Sequence, residues 1–166
     1  MTARLLVDGT RWTQVEKHLA AGPDEQLAFL LVRWDGEDAH AFDVRLVSPA
    51  GFDVQLPWHL ALADSERAAI IKWAHDLDGA LVEVHVHHNS DPAVFSPTDR
   101  VGLGEFVPHI WWRLGHRPYV ALVVGGGTFD ALVWRRSPHA PESLGSLVVA
   151  DRPPRAPTGR SLRLGP

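Results

Sequence analysis

Residues 81–88 read Leu81-Val82-Glu83-Val84-His85-Val86-His87-His88, and no other stretch constrains the fold as tightly. Alternation with a period of two fits a β-strand, with Val82, Val84 and Val86 on one face and Glu83, His85 and His87 on the other. The valine content favours a strand further, because β-branched side chains suit a pleated surface. A core must therefore lie against the valine face. The other face presents an acid and two imidazoles side by side.

The remaining elements are read around this strand. Trp12, Val15 and Leu19 fall at helical spacing, and Gly22-Pro23 ends that segment. Residues 25–34 form a short apolar run between Pro23-Asp24 and Asp35-Gly36, which predicts a buried strand. Phe42, Val44 and Leu46 alternate with polar neighbours, and after Ser48-Pro49-Ala50-Gly51 the pattern predicts one more strand over 52–62, completing an antiparallel meander. Asp64 suits the N-cap of a second helix that stops at Asp78-Gly79. Ser96-Pro97-Thr98-Asp99 opens a third helix as a capping box with Pro at its first position, and Pro108 is expected to kink or interrupt it. Gly125-Gly126-Gly127 joins strands over 119–124 and 128–134; without a following Lys-Ser/Thr it reads as a hairpin turn and not a phosphate loop. The class expected from this order is α/β, a mostly antiparallel mixed sheet with packed helices.

The chain has 166 residues, enough for one domain, which is placed at 1–140. Residues 141–166 are rich in Pro and Arg and read as a flexible tail. Positions 151–166 carry four Arg and one Asp, leaving 12 basic against 19 acidic residues on the body. An acidic body repels phosphate, so nucleic acid is not expected as a partner. No apolar run reaches the ~20 residues of a membrane span, and the amino terminus lacks a signal-peptide core, so the expected location is cytoplasmic with no membrane partner. The seven tryptophans are expected to serve packing. There is no cysteine, which excludes thiolate metal sites and cysteine nucleophiles and leaves His, Asp and Glu to hold any metal.

His85 and His87 suit that role, since residues two apart on a strand share a face with Cα atoms ~6.6 Å apart. Read from the residues alone, the pair is either a metal site or two satisfied imidazoles. Asp99, twelve residues after His87, is likewise either a third ligand or the acid of a capping box, and Ser96 either the N-cap or a hydroxyl aimed at a reacting carbonyl. Three protein ligands leave a position open, as in catalytic zinc sites. A two-His-one-carboxylate set also serves iron(II) oxygenases, although the Glu that cupins carry shortly after the second His has no counterpart before Glu105.

An acid ahead of an apolar strand, His-x-His on a strand and Ser-x-x-Asp opening a helix together resemble the JAMM motif of the JAB/MPN family, over residues 10–136. Glu25 matches the family's catalytic acid, His85-Val86-His87 its histidine pair and Ser96-Pro97-Thr98-Asp99 its Ser-x-x-Asp. The departures are Val86 and His88 where the family has Ser and Pro, and one extra residue before Asp99. The resemblance implies a JAB/MPN (cytidine-deaminase-like) architecture and a zinc metalloprotease of the prokaryotic type. Zn2+ would sit on His85, His87 and Asp99, with Glu25 and Ser96 catalytic. It also implies a ubiquitin-like or sulfur-carrier protein as substrate, an activating-enzyme-like partner, and, as the alternative, a catalytically silent scaffold of the same family.

Overall fold

The structure is a computed structural model and describes residues 2–164. Its elements are β1 (Ala3–Val7), α1 (Gly9–Leu19), β2 (Leu27–Asp35), β3 (Asp38–Leu46), β4 (Phe52–Leu56), β5 (His59–Leu62), α2 (Asp64–Asp76), β6 (Ala80–Val86), α3 (Pro97–Arg113), β7 (Tyr119–Gly125), β8 (Thr128–Trp134), β9 (Glu142–Val149) and a single helical turn, α4 (Arg160–Arg163). Local signals account for most boundaries. Asp8 caps α1 by accepting the Arg11 N–H at 2.8 Å. Ser96 and Asp99 form the full capping box of α3, which runs on through Pro108.

Seven strands close into a barrel in the order β1-β3-β2-β6-β7-β8-β9. The expected architecture, a mostly antiparallel JAB/MPN-type sheet with helices packed on it, is thereby overturned. β1 runs parallel to both β3 and β9, and β6 runs parallel to β7, so parallel pairs alternate with antiparallel stretches and the seven-stranded sheet closes without an open edge. The physical reason is non-local: β1 is a five-residue strand with no turn signal of its own, and parallel partners are joined through long crossovers that short-range patterns do not report.

Two further expectations change. The strand expected over 52–62 is a hairpin, β4 and β5, turned at Pro57-Trp58 and standing apart from the barrel as its own two-stranded sheet. The segment expected as a flexible tail from 141 supplies β9, which pairs with β1 and β8, and Leu144, Leu147 and Val149 are buried on it. After β9 the chain returns over the barrel through a Leu147–Arg155 bridge to α4.

One face of the barrel strands buries Val82, Val84 and Val86 with Leu30, Leu122 and Phe129, closed by Trp12, Val15 and Leu19 of α1. The opposite face packs Phe29, Leu31 and Leu81 against Ile70 and Ala74 of α2 and Val107 and Ile110 of α3. The valine face is in the core as alternation requires, and this leaves Glu83, His85 and His87 on the side where α3 begins. Trp58 and Trp112, expected in packing, are 75% and 71% exposed. Among the described residues no helix is long and apolar enough to cross a membrane.

Candidate metal centre

The site forms where β2, β6 and the start of α3 meet. In the antiparallel β2–β6 ladder Leu27 lies opposite His85, so two residues further along Glu25 comes level with His87. Backbone bonds hold it there: the Glu25 N–H donates to the Leu56 carbonyl at 3.0 Å, and Gln55 Nε2 donates to the Glu25 carbonyl at 3.0 Å. The small hairpin thus fixes the acid. His88 has Nε2 2.8 Å from the Asp24 carbonyl and ties the end of β6 to the same segment.

His85 Nε2 and His87 Nε2 are 3.2 Å apart, and Asp99 Oδ2 lies 3.4 Å from the first and 3.1 Å from the second. Donors at ~2.0–2.1 Å from a tetrahedral ion lie about 3.3 Å from one another, so this triangle has the size that zinc requires. Nitrogen and carboxylate donors suit the same ion. Glu25 Oε1 stands 3.7 Å from His87 Nε2, next to the triangle without belonging to it. Ser96 caps α3, its Oγ accepting the Asp99 N–H at 3.1 Å, while Asp99 Oδ2 accepts the Ser96 N–H at 2.8 Å. Ser96 borders the same opening as Glu25 and His87, under Trp58 of the hairpin turn. The structure therefore brings all five sequence-predicted residues together.

Their ionisation follows from their surroundings. Burial pushes the Glu25 carboxyl up, and the nearby imidazoles only partly offset it. Burial acts the same way on Asp99, but hydrogen bonds from His85 and His87 outweigh it and hold this carboxyl well below the usual range. Burial would lower His85, yet its bond and charge interaction with Asp99 leave its pKa raised.

Sequence reasoning left the supports of the site unassigned. The loop between β6 and α3, which must present Asp99, is pinned at several points. The Ala93 N–H donates to Thr128 Oγ1 at 2.8 Å, the Thr158 hydroxyl donates to the Ala93 carbonyl at 2.8 Å, and the Phe95 N–H donates to Ser161 Oγ at 3.0 Å. Ser161 is itself fixed by buried Asp130, which accepts the N–H groups of Ala131, Gly159 and Ser161 at 2.8–3.0 Å. The turn after β7 presses on the loop too: at Gly126, with φ 56°, a Cβ would stand 2.2 Å from the Asp91 carbonyl oxygen. That glycine triplet was legible as a turn but not as a packing contact. Glu83 was visible on the histidine face. Its Oε2 accepts the Tyr119 hydroxyl at 2.5 Å, and burial raises the pKa of both partners.

No protein-family profile and no curated protein sequence matches the chain. Among solved structures it is similar to the solution structure of protein DSY2949 from Desulfitobacterium hafniense. That match has 17% identity and a TM-score of 0.57, and covers 89% of this chain and 94% of the other. At that identity the likeness extends to the fold alone.

Proposed function

We propose that the protein is a zinc-dependent hydrolase of amide bonds, with His85, His87 and Asp99 as ligands, Glu25 as general acid/base and Ser96 as oxyanion donor. The observation that carries this reading is the 3.1–3.4 Å triangle of donor atoms with a buried carboxylate beside it. It stands on the residue constellation and its resemblance to the JAMM motif, not on the barrel. The substrate class, the carboxyl end of a ubiquitin-like or sulfur-carrier protein, comes from that resemblance only.

A zinc ion held by the triad would polarise the scissile carbonyl and acidify a water molecule. Glu25 then takes the proton of the attacking water and passes it to the departing amine nitrogen. Its raised proton affinity suits both halves of that transfer. Ser96 uses a lone pair to cap α3, and its own proton stays free to donate to the carbonyl oxygen as negative charge develops. The Ser96 N–H in turn steadies Asp99, so the helix cap and the ligand support one another. Exposed Trp58 offers an apolar edge for a substrate chain entering beside Glu25.

Metal analysis of unchelated protein tests the ligand set. One zinc per chain is expected, and His87→Ala should lose it. Unchanged stoichiometry in that variant would remove the reading. Glu25→Gln should keep zinc and lose ~100- to 10,000-fold in amide hydrolysis, because Gln keeps shape and hydrogen bonding but cannot accept the proton.

A further inference from the structure

One acidic group on the site's face has no part in metal binding or proton transfer. Glu83 precedes His85 by two residues, so its side chain leaves the strand ~6.6 Å from that of the ligand and on the same side. It borders a cavity of about 280 Å³ that also reaches His85 and Asp99. The cavity lies between β5 and α3, and its walls are mostly apolar, formed by Leu27, Leu60, Leu62, Leu103 and Phe106, with His59 and Thr98 also on the lining. Tyr119 satisfies Oε2 of Glu83, whereas Oε1 has no hydrogen-bond partner among the described residues. Arg67 also lines the cavity, its guanidinium lying 5.5 Å from the centre of the Phe106 ring. A carboxylate oxygen not engaged by the protein on a largely apolar wall gives a ligand's cationic or N–H group a partner there.

We infer that this cavity is a side-chain specificity pocket, and that it takes an aliphatic side chain ending in a cationic or N–H donor group, of the lysine or arginine type. The stem lies against Leu60, Leu103 and Phe106 while the head reaches the free oxygen of Glu83. Apolar walls with one charged end are how long cationic side chains are held. Glu83 thereby selects the residue beside the scissile bond. The inference rests on the metal reading of His85, His87 and Asp99.

Three metal-binding probes separate the two ideas: acetohydroxamate, norleucine hydroxamate and lysine hydroxamate, titrated calorimetrically into the zinc-loaded protein. Lysine hydroxamate should bind at least ten-fold more tightly than norleucine hydroxamate. In Glu83→Gln that preference should fall below three-fold, with zinc content and acetohydroxamate affinity unchanged. Tyr119→Phe, which leaves the carboxylate in place, should retain the preference, and it guards against a fold defect in the first variant. Equal or tighter binding of norleucine hydroxamate by the parent overturns the pocket while leaving the metal site standing. So does a lysine preference that survives in Glu83→Gln. Absence of zinc together with absence of acetohydroxamate binding overturns the metal reading, and the pocket with it.

Discussion

Asp99 accepts the Ser96 N–H at 2.8 Å and lies within 3.4 Å of both imidazoles, so one side chain makes the helix cap and is also placed for the ligand role proposed for it. Substitution should separate them. Asp99→Asn keeps an oxygen for the cap but no charge, so zinc should be lost with little change in the melting temperature of the metal-free protein. Asp99→Ala should lose zinc and, with the reciprocal cap gone, about 1 kcal/mol of stability as well. Equal melting temperatures for the two variants would deny the capping role. Glu25 carries a pH prediction. Its folded pKa is raised above the ordinary 4.5 by burial, so the folded state binds the proton more tightly than the unfolded chain. The stability linked to this group is fully present below pH 4.5 and is lost as pH rises through the folded value. Metal-free Glu25→Gln should therefore be more stable than the parent at neutral pH, the gap closing as acid is added; denaturant titrations at a series of pH values measure it. At this scale the grouping of His85, His87 and Asp99 was legible in the sequence. Strand alternation aligns His85 with His87, and Ser-x-x-Asp brings a carboxylate to a helix start, and both are rules of local geometry. The hold of the β4–β5 hairpin on Glu25 was not legible, because it depends on Leu56 and Gln55, which lie about thirty residues further along the chain.

Elements with strong local punctuation were read correctly in place and type, although the N-cap of α2 is Ala63, which has no capping side chain, and Asp64, expected there, is the first helical residue with its charge in the first turn. α2 runs to Asp76, β6 occupies Ala80–Val86, α3 begins at Pro97, and the hairpin of β7 and β8 turns on its glycines. The strand expected over 52–62 failed at Pro57-Trp58, where proline cannot donate to a ladder and the chain reverses. The supposed tail failed for a different reason. Its prolines and arginines suggest disorder by composition, but Leu144, Leu147 and Val149 are buried between β1 and β8, the three-residue step from Leu144 to Leu147 being taken up by a register shift against β1, and the Arg-rich stretch beyond them meets acidic and aromatic partners. Arg152 pairs with Glu16 at 2.8 Å, and Arg155 lies over Phe129. Truncation after Ala140 should therefore leave no cooperative thermal transition, since a barrel strand and three buried side chains worth ~1.5–3 kcal/mol each depart together. A milder test isolates the strap. Ser161→Ala leaves the Phe95 N–H without its acceptor and should cost ~1–3 kcal/mol, together with weaker zinc retention, because Phe95 adjoins the residues that present Asp99. Unchanged zinc affinity in a destabilised Ser161→Ala would confine the strap to a structural role.

At the scale of the whole molecule, the barrel is closed by β1, which is hydrogen-bonded in parallel to β3 on one side and β9 on the other. Closure removes the two open edges that a six-stranded sheet would present to other chains. It joins the first strand of the molecule to the last, the contact most distant along the chain and so the one that periodicity is least able to report. The same ring order puts β6, with both histidines, three strands away from β1 in one direction and four in the other. Closure and site geometry should then be separable. Leu5 is fully buried in β1, and its partners are Ala39 of β3 and Leu147 of β9. Leu5→Ala should cost ~2–5 kcal/mol, the range for truncating a buried leucine whose cavity cannot fully collapse. Below its lowered melting temperature the variant should still bind one zinc per chain with parental affinity, because β2, β6 and α3 keep their register. Amide exchange should accelerate in β1, β3 and β9 ahead of β6, the order expected if the barrel opens at its seam. Loss of zinc in step with the stability change would show that the ligand triangle depends on the closed ring and not on the local β2–β6 ladder, and the separation argued here would fail.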